Sequence, residues 1–103
     1  MSAANPARGE AAIRVAGEAL VLRPSFAALV AAEEELGSLF ALVERAADGR
    51  LTLAEMVALF WHCRHEAPPA LTREAVGDAV VAGGVAAATP ALKTLLRQVL
   101  AGR

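Results

Sequence analysis

Four side chains of the kinds that bind transition metals stand within one short stretch, LFWHCRHE at 59–66: His62, Cys63, His65 and Glu66. Neutral imidazole and thiolate suit zinc, and a carboxylate can complete the set. A metal needs its ligands to converge, so the element that carries them decides the matter. TLAE at 52–55 is a capping box, in which Thr52 bonds forward and Glu55 reaches back. It predicts a helix from Leu53 to about Glu66, with Pro68-Pro69 preventing much further extension. At about 100° per residue, Leu53, Met56, Val57, Phe60 and Cys63 fall within about 120° of one another, which makes them the buried stripe. His62 lies about 180° from Leu53 with Glu66 beside it, and His65 lies about 160° from Cys63. The expectation is therefore no metal site within this helix. Cys63 reads as a small buried hydrophobe, and His62 with Glu66 as a surface pair one turn apart. A charged His65 would be favoured near the helix C-terminus. Trp61 falls on the stripe's edge. Its ring is either a partner anchor or folded over the hairpin or a neighbouring helix.

A second constellation is ERAADGRLTLAE at 44–55, which has the layout of a degenerate EF-hand calcium loop. Glu44, Asp48, Gly49, Leu51 and Glu55 occupy the first, fifth, sixth, eighth and twelfth positions. Ala46 stands where the third position needs a carboxylate, and Glu44 replaces the usual aspartate. Calcium takes about six to eight oxygens, and this loop falls short. The other reading is a helix-turn-helix corner with Gly49 in the turn and Thr52 as cap.

No nucleophile motif appears, and Gly83-Gly84 lacks the Lys and Ser/Thr that follow a phosphate-cradling loop. Glu33, Glu34 and Glu35 are consecutive, so a helix spreads them around its wet side. The expectation is that the chain is not an enzyme and holds no cofactor.

Elements that position these residues can be read along the chain. Residues 1–9 are small and polar and read as a mobile N-terminal segment; 10–101 read as a single α+β domain. In AAIRVAGEALVLR, Ile13 and Val15 alternate with Ala12 and Arg14, and Leu20 and Leu22 alternate with Val21 and Arg23. With Gly17-Glu18 between the runs, this predicts a β-hairpin with one apolar face. Two strands alone are marginal in water, so the hairpin must lie on helices or pair with another chain. Arg14 and Arg23 would guard its polar face, and an open edge offers unpaired N–H and C=O groups to an added strand. The alternative is that the hairpin only covers the helices. Ser25 caps a helix from Phe26 to Leu36, with Phe26, Leu29, Val30 and Leu36 as its apolar stripe and Gly37 at its end. Ser38 caps Leu39 to Ala47, and Thr72 caps a helix ending at Gly83-Gly84. The last helix starts either at Thr89-Pro90 or at Val85 with a kink. The fold class is thus an N-terminal β-hairpin followed by a bundle of four to five α-helices.

Composition bounds the partners. The chain has 103 residues, 56% hydrophobic, with a formal net charge of −1 and only 4% aromatic residues. There is no basic footprint for nucleic acid and too few rings for a single-strand stacking platform. A lone cysteine cannot form an internal disulfide, so a reducing cytoplasm is expected. No signal peptide is seen at the N-terminus. The longest uncharged run, 79–92, is shorter than the ~20 residues of a membrane span, so no membrane association is expected.

NPARGEAAIRVAGEALVLRPSFAALVAAEEELG, at 5–37, resembles the opening of the gene transfer agent family proteins, small proteins encoded among phage-like tail genes. The matching residues are Asn5, Pro6, Arg8, Gly9 and Glu10, then Gly17 in the hairpin, then Leu29, Glu33, Leu36 and Gly37. A later segment matches in part at Thr72, Glu74, Val76 and Gly77, so the similarity spans 5–101. The stretch FWHCRHEAPP at 60–69 departs from the family, which makes any contact through Trp61 peculiar to this chain. The resemblance implies a non-enzymatic phage-like tail assembly protein, chaperone-like, that binds a tail tube or tape-measure protein. Arg14, Arg23 and Trp61 are the candidate partner contacts, and the hairpin edge is a candidate route to a homo-oligomer. A small intracellular adaptor or regulator with no tail role is the alternative, and a degenerate EF-hand-like calcium binder is the third reading.

Overall fold

The hairpin forms where the alternation places it. β1 (Ala11–Val15) and β2 (Glu18–Leu22) pair antiparallel, with Val15 opposite Glu18 and Ala11 opposite Leu22. Ala16 and Gly17 connect them, both at positive φ, 53° and 81°. That is the type I′ turn, whose twist matches the twist of the strands. The turn sits one residue earlier than Gly17-Glu18, and Ala16 accepts a left-handed conformation that crowds its Cβ. The computed structural model describes residues 4–5 and 9–101. Of the segment expected to be mobile, 1–3 and 6–8 lie outside the described residues.

A third strand departs from the expected helix. α3 (Leu53–Cys63) stops at Cys63, and the chain passes at once into β3 (Arg64–His65). β3 pairs antiparallel with β2, His65 opposite Val21 and Arg64 opposite Leu22. The Arg23 N–H also donates to the Cys63 carbonyl at 2.7 Å. β2 therefore supplies the backbone partners that a further helical turn would have supplied, and backbone groups must find partners somewhere. The sheet order is β1-β2-β3. Val21, expected on the wet face, is buried but lies outside the main core cluster.

The caps are as the sequence predicts. Ser25, Ser38, Thr52 and Thr72 each accept a hydrogen bond from the backbone N–H three residues on. They open α1 (Phe26–Leu36), α2 (Leu39–Ala47), α3 and α4 (Arg73–Gly83) respectively. α5 (Val85–Ala101) takes the earlier of its two candidate starts and runs through Pro90. The Thr89 hydroxyl donates to the Val85 carbonyl and the Thr94 hydroxyl to the Pro90 carbonyl, each at 3.0 Å. The architecture is α+β: an N-terminal antiparallel hairpin followed by five helices.

α3 is the centre of the core. α1, α4 and α5 all pack on it, so Met56 to Phe60 and Cys63 are all buried. Phe60 and Cys63 lie inside, as their phase predicts. Leu59, on another face, is equally buried because neighbours surround this helix. Leu42, Val76, Leu95 and Leu22 complete the innermost shell. Two expectations fail. Leu53 is 44% exposed, and Phe26 is 86% exposed. α1 buries Ala32 and half-buries Ala28, Leu29 and Leu36 instead. Its buried face is rotated away from Phe26 and Val30, and Leu29 is a flank of the core rather than its interior. Among the described residues no single helix is long and apolar enough to cross a membrane.

Candidate functional site

The metal-like stretch is taken apart by the end of α3. Cys63 is fully buried, and burial pushes its thiol up to about 12. His62 leaves on another side and meets Glu35 of α1, with Nε2 2.8 Å from Oε1. The expected His62–Glu66 pair does not form because Glu66 is no longer on the helix. Glu66 instead lies 3.5 Å from Nε2 of its neighbour His65. Among the described residues no three His, Cys, Asp or Glu side chains gather as a metal centre.

Glu35 is a hub that the sequence hides. Arg73 of α4 donates to both of its oxygens, at 3.1 and 2.5 Å, and His62 of α3 meets it from a third helix. Hydrogen bonds from Arg73, then from His62, hold the Glu35 carboxyl down at about 2. Glu33 is also engaged, accepting from the Leu39 N–H at 3.1 Å at the start of α2. The acidic run is therefore a set of ties between helices, not only a solvated face. The residues that meet here are 27 and 38 positions apart, beyond any local spacing rule.

The loop at 44–55 has its principal carboxylate in use. Glu55 Oε1 accepts from the Thr52 N–H at 2.9 Å and from the Thr52 hydroxyl at 3.1 Å. Glu55 Oε2 pairs with Arg45. The Thr52 bond, then the Arg45 bond, lowers the Glu55 pKa. Asp48 pairs with Arg50 at 3.2 Å. The corner reading accounts for each of these groups.

The three candidate partner contacts have different fates. Arg23 turns inward, its Nε 2.6 Å from Oε2 of the buried Glu10. Trp61 is half-buried, and the Arg64 guanidinium lies 3.6 Å from its ring centroid. One aromatic face is thus covered by a cation from the same chain. Arg14 remains at the surface on β1, its guanidinium donating to the Gly17 carbonyl at 3.1 Å. The three are not gathered into one site.

Glu10 is the residue that sequence reasoning passed over. Asn5 donates its N–H to Glu10 Oε1 at 2.8 Å, and the Glu10 N–H donates to the Asn5 carbonyl at 3.1 Å. Gly9, at φ +71°, lies against Gln98 of α5, where an added Cβ would overlap the Gln98 amide. The opening motif therefore staples the start of β1 to the end of β2 and to α5. Pro6 and Arg8 of that motif lie outside the described residues. The partner of Glu10, Arg23, stands 13 positions on, beyond any local spacing rule.

Grooves among the described residues could hold a partner. One is a groove of about 350 Å³ between the hairpin, at Ala12 to Arg14 and Ala19, and the α4–α5 corner. Another lies between α3 and α4, where exposed Leu53 and Val81 sit with Glu74 and Asp78 at the rim. In comparisons with known proteins, residues 8–102 match a family described as phage tail tube protein, GTA-gp10. No curated protein and no solved structure matches the chain.

Proposed function

Since that match covers nearly the whole chain, the protein belongs to the phage tail tube protein, GTA-gp10 family, and from this premise we propose that it is a non-enzymatic, chaperone-like assembly protein of a phage-like tail. In this reading it acts in the cytoplasm and holds a tail tube or tape-measure protein until that partner joins the tail. The family membership supports the tail-related part of this reading. The side-chain chemistry supports its non-enzymatic part, because the groups best suited to catalysis or metal binding are spent within the fold. Cys63 is buried and protonated, Glu35 is clamped by Arg73 and His62, and Glu55 is taken by Thr52 and Arg45.

The family's own description favours a second reading, in which this chain is itself a subunit of the tube. The two differ in where the chain ends up. The test deletes the gene and, separately, measures the protein content of purified particles by quantitative mass spectrometry. An assembly factor leaves tailless particles when deleted and is absent from finished ones. Presence at the copy number of a tube subunit overturns the assembly-factor reading in favour of the tube. Normal tails in its absence overturn both.

A further inference from the structure

We propose that the outer edge of β1 is a strand-addition site, and that its occupant is an extended segment of the tail protein held by this chain, carrying a carboxylate opposite Arg14. This rests on the assembly reading above and gives it a surface.

The turn fixes which backbone groups are on offer. In a two-residue hairpin the closing pair, here Val15 with Glu18, is the hydrogen-bonded one. Bonded and non-bonded pairs alternate along an antiparallel ladder. Val15, Ile13 and Ala11 therefore spend their N–H and C=O on β2, and Ala12 and Arg14 direct theirs outward. β1 is a terminal strand of the sheet, and no other described backbone group bonds to Ala12 or Arg14. The opposite edge is β3, two residues long, too short to template a strand.

Room for a guest lies alongside. The groove of about 350 Å³ has Ala12, Ile13 and Arg14 of β1, with Ala19 of β2, on one side and the α4–α5 corner on the other. Apart from Val80, the helical side is alanine and glycine, and a Cβ added at Gly83 would meet nothing within 4 Å. The approach to the backbone edge is thus not screened by long side chains. Edges are commonly blunted by proline, bulges or several charges, and this one carries only Arg14. A guest strand alternates its side chains, so one set can enter the apolar groove while a carboxylate on the other meets the Arg14 guanidinium. Two copies of β1 pairing about Ile13 would instead set both Arg14 side chains on one face, diagonally adjacent, where like charges oppose each other. That weighs against self-pairing.

The test uses the full chain and the purified monomeric tail tube and tape-measure proteins as probes. Complex formation is read by size-exclusion chromatography and amide exchange by mass spectrometry. Two variants are compared with the parent. Ala12→Pro removes an N–H that points away from β2, so the ladder is kept, as proline on an edge allows. Gly83→Leu fills the groove where there is space. Melting temperature checks that each folds, and Gly83→Leu stands alone if Ala12→Pro does not. The expected result is a complex in which exchange at Ala12 and Arg14 slows by roughly tenfold or more, with binding lost in the folded variants. A complex with protection confined to the α3–α4 groove or to Trp61, unaffected by the variants, overturns the edge and leaves the assembly reading intact. A dimer of the chain alone, protected at Ala12 and Arg14, overturns the occupant. No complex with either tail protein overturns the reading and the inference together.

Discussion

Arg23 reaches back 13 residues to the Glu10 carboxylate at 2.6 Å, and the Glu10 side chain is 2% exposed. This is a buried acid with a half-shielded base. Removing one partner strands the other, and the stranded acid is the costlier case because it cannot reach water. Arg23→Ala is expected to destabilise the fold by about 2–4 kcal/mol, below the upper range for pairs buried on both sides. Glu10→Gln keeps the shape and should cost less. Chemical denaturation of the two variants checks this; equal and negligible losses would show that the pair is incidental.

Glu35 gives a pH dependence with a definite sign. Its folded carboxyl is held at about 2 against a reference of 4.5, by Arg73 first and His62 second. A depressed pKa contributes stability above the unfolded value, and that contribution drains as pH falls through the interval toward the folded one. Melting temperatures of the parent and Glu35→Gln should differ near neutral pH and converge between about pH 4.5 and about pH 2. A gap that stays constant over that range would mean the clamp is not electrostatic. Glu55 is lowered as well, so it adds to the acid sensitivity in the same direction.

Phe60 and Phe26 make a matched pair of rings. Phe60 is fully buried and Phe26 is 86% exposed. Phe60→Ala should cost about 3–5 kcal/mol, a large part of the ~5–15 kcal/mol a domain has. Phe26→Ala should stay within about 0.5 kcal/mol. Parallel urea melts decide it, and similar losses at both positions would place α1 in the wrong phase.

Cys63 should behave as a reporter of unfolding. Burial leaves its thiol protonated, up at about 12, and the thiolate is the reactive species. Maleimide labelling of the native protein is expected to be slow, with the rate rising across the denaturant transition. Rapid labelling under native conditions would show that the last turn of α3 opens readily.

Zinc and calcium should give no one-site binding isotherm in the micromolar range by calorimetry. The reason is positional: Cys63 and His62 leave α3 on different sides, and Glu55 is already bonded through both oxygens. A heat signal lost in Glu55→Ala would restore the calcium reading of 44–55.

Local chemistry was legible in the sequence, and distant chemistry was not. Ser25, Ser38, Thr52 and Thr72 cap as predicted because a cap is decided within four residues. The hairpin followed from a period of two and one glycine. The end of α3 was missed because it depends on β2, some forty positions away, which bonds Arg64 and His65 into the sheet. Phe26 was misplaced because residue type alone cannot tell which face of α1 its neighbours cover. Glu35 and Glu10 were missed for the same reason, since each is defined by partners that only the folded chain brings near. Arg14 was legible as an edge residue, while Arg23, its apparent twin by alternation, was drawn inward by a buried acid.

The direct passage from α3 into β3 has a mechanical consequence. With no loop between them, the central helix and the sheet form one continuous lever, tied again where the Arg23 N–H meets the Cys63 carbonyl. A pull on the hairpin is delivered to the most deeply packed helix rather than absorbed by slack chain. The hairpin is thus anchored to the body of the protein rather than hung from it.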